Sequence, residues 1–285
     1  MNVLSAKRVR EVLAKVRQSR RIFLNWWWVL PLAAIAVPSR VPPRKGVRSL
    51  GKKFVTIKLR SGLRANCRFN EVYFWYEVFV LEVYNAPQIE WSQIRTILDI
   101  GANTGAASIW LSAHSNGAAI FALEPAEETS RRLYSNLAMN GLQERVQVVR
   151  MAVGSNVGSG FMIQGDNSAM ARASLEAPAG AERVDFIGLD ELLQLAGGRI
   201  DFMKIDCEGG EYGLFLQASK ESLGKVGFIV GEYHPASPLD QQKLFDHLRS
   251  SGFQCQIRRE GIIDGLEQGI FRAWRTTWNL NSNVQ

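Results

Sequence analysis

The chain has 285 residues, 46% of them hydrophobic, which is enough apolar material for a packed core and excludes a disordered polypeptide. Its three cysteines, Cys67, Cys207 and Cys255, show no C-x-x-C spacing, which excludes a disulfide framework or a cysteine zinc site and leads us to expect a reducing, cytoplasmic setting. The net charge of +7 conceals an asymmetry: residues 1–68 hold 17 of the 34 Lys and Arg against the single acid Glu11, for +16, whereas residues 69–285 carry −9.

In chain order, the first predicted element is a cationic amphipathic helix. Leu4, Val9, Val12, Leu13 and Val16 recur at helical spacing among Lys7, Arg8, Arg10, Lys15 and Arg17. After Arg20-Arg21 comes the apolar run Ile22 to Val37 with Trp26, Trp27 and Trp28. It is short for a membrane span, which needs about 20 residues, and Pro31 interrupts it. Three readings stand: a helix packed on the domain that follows, a contact of residues 1–37 with anionic lipid on the inner membrane face, or a span or signal with Ala34-x-Ala36 as a cleavage site. The basic charge alone suits nucleic acid, but no recognition motif accompanies it, and no nucleic-acid partner is expected. Phe54 to Leu59, a Ser61-Gly62 turn and Leu63 to Phe69 predict a hairpin, followed by an aromatic-rich helix from Glu71 to Tyr84.

Residues 97–105 are the most informative stretch. A short apolar run ends in Asp99, and a turn containing Gly101 and Gly105 leads into a predicted helix, Ala106 to Ala113. Strand, tight turn and helix in this order present backbone N–H groups to a cofactor at the edge of a Rossmann-like sheet. The dehydrogenase pattern G-x-G-x-x-G is absent, since Asn103 and Thr104 interrupt it. A second strand, Ala118 to Leu123, ends in Glu124-Pro125, an acid placed to accept hydrogen bonds from ribose hydroxyls. Asp99, Gly101, Gly105 and Glu124 together describe an adenosine site.

The remaining predicted elements alternate. They are a helix over 126–140 closed by Gly141, a strand over 146–149, a Gly/Ser/Ala-rich stretch over 154–183 that reads partly as a β excursion and partly as a mobile active-site loop, and a helix over 189–196. Ile200 to Ile205 is an apolar strand that delivers Asp206, followed by Glu208 and Glu211 around a Gly-Gly turn. Three carboxylates this close are costly unless a cation, a proton or a hydroxyl offsets them. Val226 to Val230 is a further buried strand that ends in Glu232-Tyr233-His234. A helix over 239–251, a strand over 253–257 and a closing strand over 269–274 complete the order.

The chain resembles the FkbM family of S-adenosylmethionine-dependent methyltransferases. The matching residues are D-I-G-A-N-T-G at 99–105, E-P at 124–125, A-V-G at 152–154, K-I-D-C-E-G-G-E at 204–211 and E-Y-H at 232–234. Cys207 and Gly210 depart from the family's more usual Val and Ala without removing a chemical group. The resemblance implies a class I methyltransferase fold: an α/β, Rossmann-like, seven-stranded and mostly parallel sheet flanked by helices, here with an N-terminal helical and hairpin extension. It implies S-adenosylmethionine held by Asp99, Gly101, Asn103, Gly105, Glu124, Pro125 and Ala152. It further implies O-methyl transfer onto a hydroxyl of a sugar, glycan, lipid or polyketide-type molecule. The expected boundaries are a basic helical extension over 1–46, a hairpin and helix over 47–96, the methyltransferase domain over 97–275, and a tail over 276–285.

For the transfer, His234 is the expected general base, because an ordinary imidazole is neutral near pH 7. Glu232 would orient it or bind substrate hydroxyls, and Asp206 would accept the proton or orient the substrate. Glu208 and Glu211 are expected to meet substrate or a cation. In the alternative, Asp206, Glu208 and Glu232 hold Mg²⁺, which lowers the hydroxyl pKa. A non-catalytic, membrane-associated protein and a nicotinamide oxidoreductase are the competing classes. The first is opposed by the joint presence of Asp99, Glu124, Asp206 and His234, the second by the missing glycine pattern.

Overall fold

The computed structural model describes residues 14–28, 51–154, 158–163, 172–174, 181–236, 238–263 and 266–278. The chain divides into two compact units, Met1–Val83 with Ala138–Asn140, and the remainder from Tyr84. Residues 14–28 of the expected extension and the hairpin fall in the first of these.

In the first unit, residues 14–22 are helical (α1), strands β1 (Phe54–Lys58) and β2 (Arg64–Arg68) pair as an antiparallel hairpin, and α2 (Val72–Phe79) follows a 3-10 turn. Most of the predicted 4–17 helix, and residues 29–37 of the apolar run, lie outside the described residues. The described part of that run does not continue as a helix. The chain leaves α1 at Phe23, which bridges Leu59, and closes in a 3-10 turn over Trp26–Trp28. The physical reason is Asn25: its side chain bonds Thr56 O at 2.5 Å and Lys58 N at 3.0 Å, so the backbone runs beside β1. Helix α2 is also shorter than the predicted 71–84, because beyond it Glu82 takes a positive φ of 49°. Among the described residues, no helix is long and apolar enough to cross a membrane.

The second unit is built on a seven-stranded sheet. Its strands are β3 (Thr96–Ile100), β4 (Ala119–Leu123), β5 (Val146–Val149), β10 (Ile200–Ile205), β11 (Val226–Tyr233), β12 (Gln254–Ile263) and β13 (Leu266–Trp274). The order is β12-β13-β11-β10-β3-β4-β5, parallel except that β13 runs against both β11 and β12. This is the expected α/β class I architecture. Chain order reverses between β3 and β10, so the crevice beyond their carboxyl ends is where such a sheet binds ligands.

Helices α3 (Ala106–His114), α4 (Glu127–Ala138), α5 (Leu189–Leu195), α6 (Gly210–Gln217), α7 (Lys220–Leu223) and α8 (Pro238–Ser250) flank the sheet. Every residue of β10 is buried, as expected of a central parallel strand covered on both faces. Leu98, Ile100, Met203, Ile205, Ile229 and Phe215 join one core cluster with Leu244 and Leu248 of α8. The loop expected in the 154–183 stretch falls outside the described residues, whereas its expected β part is seen, with residues 158–163 and 172–174 in a second, four-stranded sheet. Its order is β6 (Met151–Val153), β9 (Glu182–Ile187), β7 (Gly158–Ile163), β8 (Arg172–Ser174). Strands β12 and β13 run longer than predicted and pair along their length with one bulge between Arg259 and Gly261.

Candidate active site

Two turns meet at the carboxyl ends of β3 and β10. After β3, Gly101 takes φ +71° and Gly105 φ +97°, left-handed values that a Cβ strains. Gly101 is also required sterically: a Cβ there would lie 1.7 Å from the backbone oxygen of Asp206. Between the glycines, Asn103 adopts φ +50°, and its N–H donates to Glu124 Oε2 at 3.0 Å. Glu124 Oε1 accepts from Ala126 N at 3.0 Å, so the carboxylate caps the second strand and faces the turn. Its burial raises its pKa to about 7, against the opposing pull of the Ala126 and Asn103 N–H groups and of Lys204.

Beneath the first turn lies a buried ion pair. Asp99, fully enclosed, accepts from Ser108 Oγ at 2.5 Å and sits 3.3 Å from Lys204 Nζ. Lys204, 2% exposed, also donates to Ile100 O at 3.1 Å and Gly101 O at 2.7 Å, which ties the glycine turn to β10. Burial alone would lower its pKa, but Asp99 and Asp206 hold it raised, so it stays an ammonium. A ligand at this turn meets backbone groups, whereas the Asp99 carboxylate acts from below through Lys204 and Ser108.

The second turn organises the carboxylates around His234. Glu208 takes φ +53° and Gly209 φ +106°, so the chain doubles back into α6 and carries Glu211 under the imidazole. Glu211 is fully buried; it accepts from His234 N at 2.8 Å, Gly209 N at 2.9 Å and the His234 ring at Nδ1, 3.1 Å away. The other ring nitrogen, Nε2, lies 3.5 Å from Asp206 Oδ1 and 3.7 Å from Glu208 Oε2. Tyr212 fixes the backbone by donating to His234 O at 2.8 Å. Burial would lower the His234 pKa, but Glu211, Asp206 and Glu208 raise it to about 10. The ring is therefore a cation at neutral pH, which corrects the expectation that it is a neutral base there: both nitrogens face carboxylate oxygens.

Of the predicted residues, the structure brings Asp206, Glu208, Glu232 and His234 together at the carboxyl edge. It places Glu211 beneath them, out of reach of a ligand. Gly101, Asn103, Gly105, Glu124 and Pro125 gather at the other turn. Ala152 is instead packed in the apolar core of the second sheet with Met162, Val184 and Phe186. Two residues escaped the sequence reading as members of the site. One is Lys204, whose signal is a lysine inside an otherwise apolar buried strand. The other is Tyr84, whose hydroxyl donates to Asp206 Oδ2 at 3.1 Å and lies 3.5 Å from Glu232 Oε1, with its ring 5.3 Å from Lys204 Nζ. Asp206, Glu232 and His234 each offer a ligand atom within 4.8 Å of the others. The cation set expected from the sequence has Glu208 where the structure places His234.

A parallel sheet with a glycine turn and a capping acid on one side of its switch point, and acids with a histidine on the other, defines a methyltransferase-class α/β protein. Residues 99–256 match the methyltransferase FkbM domain, and the chain belongs to that family. It is 27% identical over 260 residues to the AMB antimetabolite synthetase AmbE of Pseudomonas aeruginosa, which covers 76% of this chain but only 12% of that protein's length. Among solved structures it is similar to the methyltransferase FkbM from Methylobacillus flagellatus, at 16% identity and a TM-score of 0.47 over 72% of this chain and 54% of the other. A precorrin-6y C5,15-methyltransferase from Geobacter metallireducens overlaps at 19% identity and a TM-score of 0.38, over 65% of this chain and 85% of its own.

Proposed function

We propose that the chain is an S-adenosylmethionine-dependent methyltransferase that acts on a hydroxyl of a small molecule, such as a sugar, glycan, lipid or polyketide-type acceptor. The observation that carries this reading is the meeting of the two turns: Gly101, Asn103 and Glu124 on one side of the switch point and Asp206, Glu232 and His234 on the other. The turn fits the adenosine cofactor, because Glu124 faces it with a carboxylate suited to ribose hydroxyls, while Gly101 and Gly105 let the backbone bend at positive φ and pack directly against Asp206 O and the Leu133 side chain. When bound, the cofactor supplies an electrophilic methyl group, so the protein's main task is alignment of the acceptor oxygen. The similarity to an antimetabolite synthetase supports a small-molecule acceptor.

Asp206 is the group that takes the acceptor's proton. Its side chain is 28% exposed where Glu211 is enclosed, and Tyr84 donates to its Oδ2. His234 holds a positive charge beside it, orients Asp206, and moderates the repulsion among the four acids. General-base assistance of this kind contributes on the order of 10²–10⁴ in rate. A second reading rests on the donor set of Asp206, Glu232 and His234, which suits a divalent cation that would lower the pKa of the hydroxyl. One imidazole and two carboxylates accommodate a transition ion as well as Mg²⁺.

Isothermal titration with S-adenosylhomocysteine, with NAD as control, tests the cofactor. Micromolar binding that is lost in Glu124→Ala, with no binding of NAD, supports the reading. Preference for NAD, or no binding by a folded protein, overturns it. Direct titration of the folded protein with Mg²⁺ and with Mn²⁺ that shows no binding of either would remove the metal reading alone.

A further inference from the structure

The first unit presents a face that the reaction does not use. Where Phe23 bridges Leu59, Leu24 N donates to Lys58 O at 2.8 Å, so the chain passes beside the end of β1 before it turns. Burial, and the alternation along β1 itself, assign the faces. Phe23 and Asn25 are buried, while Leu24 is exposed, as are Phe54, Thr56 and Lys58 along β1. Their cross-strand partners on β2 are Arg68, Asn66 and Arg64, and the Thr56 hydroxyl donating to Asn66 Oδ1 at 2.7 Å confirms a shared outer face.

That face combines two properties. It is cationic: Lys58, Arg64 and Arg68 stand on it, Arg17, Arg20 and Arg21 of α1 are exposed in the same unit, and no acid occurs between Glu11 and Glu71. It is also apolar in water, with Phe54 62% exposed and Leu24 48% exposed; Trp27, in the turn that follows, is 51% exposed. A polyanion alone would satisfy the bases and leave the three large side chains wet. A bilayer interface takes both, with apolar side chains sunk below the headgroups and bases set against anionic phosphates.

We propose that the outer face of the β1–β2 hairpin, with Leu24 and Trp27, docks on an anionic phospholipid surface. This extends the contact beyond the N-terminal segment to two strands and is independent of the reading of the catalytic edge. The test is co-sedimentation of the full chain with vesicles of phosphatidylcholine alone or mixed with phosphatidylserine. Two double variants accompany it, Leu24→Ser/Phe54→Ser and Lys58→Glu/Arg64→Glu, with circular dichroism melts and S-adenosylhomocysteine titration as controls. All four positions are exposed, so both variants are expected to fold and to keep their cofactor affinity.

The expected result is binding to the mixed vesicles only, weakened about tenfold or more by either variant and by raised salt. No vesicle binding by the wild type overturns the proposal. So does binding that the Leu24/Phe54 variant leaves intact while a single-stranded RNA oligomer competes equally, since the face would then be a general polyanion site.

Discussion

At the scale of residues, Lys204 joins the two halves of the site. Its ammonium neutralises the enclosed Asp99, approaches Asp206 to 4.0 Å and holds two carbonyls of the glycine turn. Removing one partner of a buried pair leaves an uncompensated charge, so Lys204→Met is expected to destabilise the fold by about 3–5 kcal/mol, read from the urea midpoint. Glu124 makes a pH prediction. Its folded pKa of about 7 lies above the ordinary 4.5, so the folded state holds the extra proton and stability falls as pH rises between these values. Ribose hydroxyls donate to the ionised form. S-adenosylhomocysteine should therefore bind about tenfold more tightly at pH 8 than at pH 6, with the dependence lost in Glu124→Gln. Equal affinity across that window would sink the assignment.

At the scale of elements, the segment from β10 through the turn to α6 packs against the end of β11. Gly231 is needed for that approach, because a Cβ there would come within 2.4 Å of Ile205 Cγ2 and 2.5 Å of Ile205 O. Gly231→Ala should lower stability by about 1–3 kcal/mol and blunt activity by pushing His234 away from Glu211, measurable as a loss in kcat larger than the change in cofactor affinity. The imidazolium makes a further test. With its folded pKa raised to about 10, its stabilisation is full below about pH 6.5 and is lost as pH rises through 10. His234→Gln should melt below the wild type at pH 7, and the gap should close above pH 10. A gap that is constant with pH would show that the ring is held by packing and not by charge.

At the scale of the whole molecule, charge is partitioned along the chain, +16 over residues 1–68 and −9 beyond. Such a chain is bipolar, and its net +7 does not describe its behaviour toward surfaces. At pH 7 and low ionic strength it should be retained on both cation- and anion-exchange resins. It should be released as the Debye length falls from about 30 Å at 0.01 M salt toward about 8 Å at 0.15 M. Retention on the cation exchanger alone would mean that the acidic charges are internally neutralised.

The sequence by itself determined the sheet's parallel core, the position of both turns and most of the acids around them. Each of these is a local pattern: an apolar run, glycines where φ is positive, and a carboxylate at a strand end. It could not determine what those acids face. Tyr84 lies 122 residues before Asp206, and nothing local marks it. Glu211 was legible as an acid at a helix start but not as the enclosed partner of His234, because enclosure depends on how β11 and α6 pack. The same packing sets the imidazole between carboxylates and turns an expected neutral base into a held cation. The extent of β12 and β13 and the detour of the chain at Asn25 were likewise decided by long-range hydrogen bonding. Only tertiary structure fixes such partners, since charge and burial are properties of a neighbourhood that distant residues build.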